Sequence, residues 1–323
     1  MPKPRREFLR TAGAAAGLAW ACDREAEAQA AQAPISVSGS LVTPSTNANM
    51  PRFQLGKFSV SRLIIGANPF HGYSHFNRIL SNHMTEWADR ERVCEILAQC
   101  ERQGVNTWQF SHHERGMGDL QRYREKGGTI QWILLSHREI EEDPALVRQV
   151  AKLGPVGIVH HGGSAERKRR AGQTGNIRDF LKRVRDSGVL AGLSTHDPAF
   201  LAQVEEENWG VDFYMTSLYY LTRTPDEFRK LLGTRPIGEV YLPEDPARMC
   251  AAIRQTKKTC LVYKVLAAGR LVDSAKQIDE AFEFVFHNVK PNDGMIIGMY
   301  PRFSDQVAEN CERVRRICAA VKS

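Results

Sequence analysis

The chain has 323 residues, 42% hydrophobic and 25% charged, enough apolar side chain for an ordinary core, which excludes a disordered or low-complexity protein. Its formal net charge is +7, but part of the excess sits in Lys3, Arg5, Arg6 and Arg10 and part in the run Glu166–Arg170. Without interleaved aromatics these read as a basic leader and one solvated loop or helix face, which argues against nucleic acid as a partner.

Residues 1–33 combine a positive start, a short Ala/Gly-rich apolar stretch and small-residue sites at Ala28-Gln29-Ala30 and Ala31-Gln32-Ala33. The apolar stretch is too short for a stable membrane span. Arg5-Arg6-Glu7-Phe8-Leu9-Arg10 resembles the twin-arginine export signal RRxFLK, with Arg in place of the final Lys. The resemblance implies recognition by the twin-arginine machinery and a periplasmic location for the folded protein. Cys22, after Leu18-Ala19-Trp20-Ala21, makes a poor lipid-attachment site because Trp20 stands where a small residue is usual. Residues 34–50, rich in Ser, Thr, Asn and Pro, read as a linker, leaving 51–323 as the folded domain. Cys94, Cys100, Cys311 and Cys318 fall on helix-period segments and are expected as buried free thiols.

From residue 60 onward, short aliphatic runs alternate with helix-period segments. The first strand is expected over 60–68, followed by a loop with Pro69, His71 and His75 and a helix whose Val93, Ile96, Leu97 and Cys100 share one face. Gly104 closes that helix. The second strand, 105–111, ends in His112-His113-Glu114; the third, 130–136, ends at His137 and leads to a helix over 143–153. Gly154–Gly163 (GPVGIVHHGG) is the fourth strand, and Ile177, Phe180, Leu181 and Val184 mark its helix. The fifth strand, 189–195, ends in His196-Asp197-Pro198, with Asp197 as N-cap and Pro198 at the first helical position. The sixth strand, 211–219, precedes a proline-bearing excursion over 222–244, a lid or an extra helix on the active face, and a helix over 245–256. Strands at 260–266 and 294–299, with helices at 278–286 and 307–321, complete eight βα units. Eight such units predict a closed (β/α)8 barrel with its site on the strand C-termini.

With the units in place, the chain resembles the aldo/keto reductase superfamily over nearly all of residues 53–321. The similar stretches are Leu55-Gly56 with Val60–Gly66, Gly104–Thr107, Arg185–Ser194, Val211–Tyr219, Leu266–Leu271, and Ile296–Asn310. The resemblance implies a catalytic Asp, Tyr, Lys and His at the ends of strands two to four. Here Gln109 stands at the Asp, Glu114 at the Tyr and His137 at the Lys, and only His160 is retained. Carbonyl reduction needs Tyr as proton donor, tuned by the Lys and the Asp, so that chemistry is not expected.

Glu114, His137, His160 and His196 are an imidazole and carboxylate set suited to a divalent transition metal, Zn, Mn, Co or Fe. The alternative is that these histidines are rim or core residues, since adjacent strand residues such as His160 and His161 cannot both point inward. Gln109, Tyr219 and Lys264 are further catalytic candidates; Lys264, in an apolar strand, could neutralise a developing enolate or alkoxide, or snorkel to the rim. Arg302, Gln306 and Asn310 would meet the phosphate of NADP if that cofactor is kept. Tyr219 and Tyr220, with Trp108 and Trp132, could stack on a sugar ring or belong to the core. Three functions follow: a metal-dependent lyase, isomerase or hydrolase for a small polyhydroxy or keto-sugar substrate; a remodelled NADP-dependent oxidoreductase; or a non-catalytic carbohydrate-binding barrel.

Overall fold

The computed structural model describes residues Met50–Val321; the leader over 1–33 and all but the last residue of the expected linker lie outside the described residues. Eight parallel strands close into a barrel: β3 (Leu63–Gly66), β4 (Thr107–Ser111), β5 (Gln131–Leu135), β6 (Gly157–His160), β7 (Leu190–Thr195), β8 (Phe213–Ser217), β9 (Thr259–Tyr263) and β10 (Gly294–Gly298). Closure comes from β10 pairing with β3 in the register Met295↔Leu63 to Gly298↔Gly66. Most of these strands are buried along nearly their whole length, because one face fills the lumen and the other packs under helices.

Strand alternation sorts the apolar residues into two layers. Ile64, Ile133, Val159, Phe213, Met215, Leu261 and Ile296 point inward and form a core of their own. Trp108, Phe110, Ile158, Leu193, Tyr214 and Val262 point outward into the layer beneath the helices. Phe213 fills the lumen because the neighbouring strands carry Gly157 and Gly192 at its level. A Cβ on Gly157 would lie 2.6 Å from the Phe213 ring and one on Gly192 2.7 Å from it. An antiparallel hairpin, β1 (Arg52–Leu55) and β2 (Phe58–Ser61), brings Phe53, Leu55 and Val60 into the same inner core at the N-terminal end.

The helices are α1 (Arg78–Trp87), α2 (Arg90–Arg102), α3 (Glu114–Glu125), α4 (Arg138–Glu142), α5 (Pro144–Ala151), α6 (Gly162–Arg170), α7 (Thr174–Asp186), α8 (Pro198–Glu206), α9 (Pro225–Leu232), α10 (Asp245–Gln255), α11 (Ala275–Asn288) and α12 (Gln306–Val321). Asp197 caps α8 as expected, its Oδ1 accepting from the Ala199 N–H at 2.9 Å. Cys94, Cys100, Cys250, Cys260 and Cys311 are buried free thiols, and Cys318 is buried with its Sγ 3.6 Å from the Arg62 guanidinium. No helix among the described residues is long and apolar enough to cross a membrane.

Three expectations change. The stretch expected as one strand over 60–68 is divided at Arg62, whose guanidinium turns to the Asp293 carbonyl, so β2 serves the hairpin and β3 the barrel. The run 166–170 is not wholly solvated, because Glu166 faces inward and is buried. Trp108 and Trp132 offer no sugar platform, since both are buried in the outer layer, where Phe110 stacks between them.

Candidate active site at the barrel mouth

At the C-terminal ends, strand parity decides which side chains face the mouth. On β6 the inward set is Gly157, Val159 and then His161, which leaves His160 outside. An arc of imidazoles follows around the rim. His71 lies edge-on to His113 with ring centroids 4.6 Å apart, His113 is 6.4 Å from His137, and His137 is 5.9 Å from His161.

His113, His137 and His161 are the N-cap residues of α3, α4 and α6. Helix starts leave backbone N–H groups without partners, and two of the rings supply an acceptor. His113 Nδ1 accepts from the Gly116 N–H at 3.0 Å, and His161 Nδ1 accepts from the Ser164 N–H at 3.3 Å. An Nδ1 that accepts carries no proton, so each neutral ring holds its hydrogen on Nε2. Burial, assisted by His71 and His137, lowers His113 to about 4. Burial, assisted by His137 and His196, lowers His161 to about 4 as well. Both are therefore neutral Nε2–H donors at neutral pH. His113 Nε2 is buried without a hydrogen-bond partner.

Beside this arc lies a chain of polar side chains. His196 continues the inward parity of Ser194 on β7. Its Nδ1 is 3.4 Å from Glu166 Oε2, and its Nε2 is 3.2 Å from the Tyr263 hydroxyl, which also lies 3.1 Å from Ser194 Oγ. Glu166 is fixed by the His196 backbone N–H at 2.6 Å and the Thr195 hydroxyl at 2.9 Å. Burial by itself raises the Glu166 carboxyl, but its bonds with His196 outweigh that and bring it to about 2. Burial pushes the Tyr263 phenol above its ordinary range, so it stays protonated. A cavity of about 220 Å³ opens on the far side of His196, lined by Asp197, Tyr220, Arg223 and Asp245 among others.

A second polar network sits where the loops after β3, β8 and β9 meet. His75 joins Asn68 Nδ2 at 3.2 Å to Glu239 Oε1 at 2.8 Å, and the Tyr241 hydroxyl donates to Glu239 Oε2 at 2.6 Å. Lys264 Nζ faces Glu239 Oε2 at 3.9 Å. Glu239 and Tyr241 both come from the excursion over 222–244.

The four expected metal ligands are not brought together. Glu114 is exposed at the start of α3. His160 points away from the lumen: Nδ1 meets the His161 carbonyl at 3.2 Å, Nε2 lies 3.5 Å from Lys168 Nζ, and the ring stands edge-on to Phe180. His137 and His196 do face the mouth, but among the described residues no three His, Cys, Asp or Glu form a group that could hold a metal. To offer Nε2 to an ion, His113 and His161 would each have to move a proton to Nδ1 and give up a helix cap. The residues present do not fit the metal, so no step is derived through one.

Gln109 is buried on β4 with inward parity, beneath the arc. Tyr219 is buried against Tyr241, with ring centroids 5.0 Å apart. Lys264 follows β9 directly rather than lying within a strand. Of the NADP candidates, Gln306 Oε1 accepts from the Tyr300 N–H at 2.8 Å, and Asn310 Oδ1 accepts from Arg313 at 3.3 Å. Gln306 thus closes an internal turn, Asn310 bonds within α12, and exposed Arg302 lies against His83.

The sequence reading missed His113, His161, Tyr263, Glu166 and Glu239 as site residues. For His161 and Tyr263 the signal was available in strand parity, counting from Val159 and Leu261. For Glu166 and Glu239 no local signal exists.

No family model matches the chain, and no curated protein matches it. Among solved structures it is similar to a truncated form of 3-deoxy-D-arabino-heptulosonate 7-phosphate synthase from Thermotoga maritima. That match has a TM-score of 0.51 at 14% identity, over 87% of this chain and 96% of that one. It is also similar to the glycerol dehydrogenase AKR11B4 from Gluconobacter oxydans, with a TM-score of 0.50 at 13% identity, over 84% of this chain and 95% of that one. Together with the closed eight-stranded parallel sheet, these likenesses identify the fold as a (β/α)8 barrel of the kind found in enzymes.

Proposed function

We propose that the chain is an exported barrel enzyme that catalyses proton transfer at a carbon next to a carbonyl in a small polyhydroxy compound, as an isomerase or lyase does. The observation that carries this reading is the neutral, helix-capping imidazole of His161, an Nε2–H donor near the Glu166–His196–Tyr263 chain, with His137 and then His113 following round the arc. A neutral imidazole held at a helix start suits the electrophile's part, since it can polarise a carbonyl and stabilise an enediolate without first losing charge. That chain supplies a phenol that can give a proton and an imidazole, braced by a carboxylate, that can take it back. Aldo/keto reductase ancestry, suggested by the chain-order resemblance and compatible with the AKR11B4 fold, accounts for the placement of the mouth, while the loss of the Asp, Tyr and Lys accounts for different chemistry. Export to the periplasm rests on Arg5 and Arg6.

The reading is tested by incubating the full chain with a panel of aldoses, ketoses and triose carbonyl compounds in D2O and following loss of the C–H signal next to the carbonyl by NMR. Protein-dependent exchange is expected for at least one compound, reduced strongly in His161→Ala and in His196→Asn. Exchange that is absent across the panel, or turnover that requires added NADPH, would overturn it.

A further inference from the structure

Lys264 is the amine that the barrel treats most unusually. Its side chain is 7% exposed, and Nζ is a buried polar atom without a hydrogen bond. The residue adopts φ +62°, in the left-handed region that a long side chain rarely enters. The strain is held by the turn that follows: the Ala267 N–H donates to the Lys264 carbonyl at 2.9 Å and the Gly269 N–H to the Leu266 carbonyl at 2.9 Å. Ala267 and Ala268 are themselves left-handed, at φ +46° and +52°. Such a conformation is strained and persists where the surroundings impose it. Its effect is to stop β9 at inward-facing Tyr263 and turn the next side chain toward Glu239 and the Tyr241 ring, whose centroid lies 6.0 Å from Nζ.

The charged and titratable groups around this amine are Glu239, Tyr241 and Arg270, with His75 behind the carboxylate. Glu239 divides its bonds between His75 and Tyr241 and approaches Nζ no closer than 3.9 Å. An ammonium kept as a structural counter-ion would be expected to close that gap and donate.

We propose that Lys264 is a nucleophilic amine that forms a Schiff base with the carbonyl of the substrate bound at the mouth. This rests on the reading above that a carbonyl compound binds there. The step balances without any cofactor. The ammonium sheds a proton to water at the mouth, and the free amine adds to the carbonyl carbon to give a carbinolamine. That proton then leaves with the hydroxyl as water. The sum is ammonium plus carbonyl going to iminium plus water, with no change of oxidation state. The iminium keeps the positive charge beside the Glu239 carboxylate and withdraws electrons from the adjacent carbon, which makes its C–H bond more acidic. Burial lowers the Lys264 ammonium to about 8, with Glu239 opposing and Arg270 assisting, so a usable fraction of free amine exists near neutral pH. Burial alone raises the Glu239 carboxyl, but His75 and Lys264 more than offset it and hold it at about 2, so it stays ionised as the counter-charge to the iminium.

The test is reductive trapping. The full chain is incubated with dihydroxyacetone, glyceraldehyde or pyruvate and sodium cyanoborohydride, then analysed by intact mass and by peptide mapping. The expected result is one adduct per chain on the peptide bearing Lys264 with at least one compound, lost in both Lys264→Met and Lys264→Gly. The glycine variant relieves the left-handed backbone, so it should melt at or above the wild-type temperature, and its loss of labelling cannot then be assigned to misfolding. An adduct confined to other lysines, or equal labelling of wild type and the two variants, overturns the proposal. Deuterium exchange measured in the same samples separates the two readings. Exchange without a Lys264 adduct sinks the Schiff base and leaves proton transfer standing; a Lys264 adduct without exchange does the reverse.

Discussion

His160, the residue retained from the reductase pattern, is expected to govern acid stability rather than catalysis. Its ring is fully buried between β6 and α7, and burial lowers its pKa from 6.5 to about 4, with Lys168 adding to the effect and Glu141 opposing it. The unfolded chain therefore takes up a proton at this site before the folded chain does. Stability from this group is fully present above about 6.5 and is lost as the pH falls toward about 4. At about 1.36 kcal/mol per pKa unit, the part lost between about pH 7 and about pH 5 is about 2 kcal/mol. Neighbouring Glu141 titrates below that window, because His160, Lys168, Ser164 and Ser136 outweigh its burial and hold its carboxyl at about 2. The assay is urea unfolding of wild type and His160→Gln at both pH values. His113 and His161 add to the slope in both proteins, so the difference between the two slopes isolates His160. The variant should lose about 2 kcal/mol less than wild type over the same interval. Equal losses would show that His160 is already protonated in the folded protein, or is not buried as described.

Exhaustive dialysis against a chelator should leave the melting temperature unchanged, because the imidazoles nearest to one another are committed to helix capping; a drop restored by zinc or manganese would reinstate a metal centre. Replacing Gly192 by Val should destabilise the barrel by about 1–3 kcal/mol through overpacking, and Phe213→Leu in the same chain should recover part of it; urea denaturation reads both. Such a Cβ would sit 2.7 Å from the Phe213 ring and 2.8 Å from a Val159 methyl. Changing both Arg5 and Arg6 to Lys should leave unprocessed precursor in the cytoplasm, and unchanged periplasmic accumulation would refute the export reading.

The barrel was legible because its pattern is repetitive. Each apolar run followed by a stripe such as Val93, Ile96, Leu97 and Cys100 is set by local burial on both faces, and local burial is written along the chain. The hairpin strand Arg52–Leu55 was not, since four residues alternating exposed and buried carry too little pattern to stand out. The strand ends that carry the candidate site were legible, but not which of their side chains face the mouth. Family register pointed to Glu114 and His160, while the two-residue strand period, followed from Val159, points to His161. The His196 partner Glu166 lies inside a basic run, and Glu239 in an excursion without periodicity. Both acquire their roles only when distant loops meet, so no local spacing announces them. Lys264 stood out as a lysine among aliphatics, but its left-handed backbone has no signature in the residue type.

The hairpin that seats Phe53, Leu55 and Val60 under the inner core makes the barrel a vessel with one door. A ligand bound at the strand C-termini would enter and leave by that one face. For the proposed enzyme, a product still on the rim and an arriving substrate cannot pass each other, so product should inhibit competitively. The excursion over 222–244 would then set the pace of departure as much as of entry.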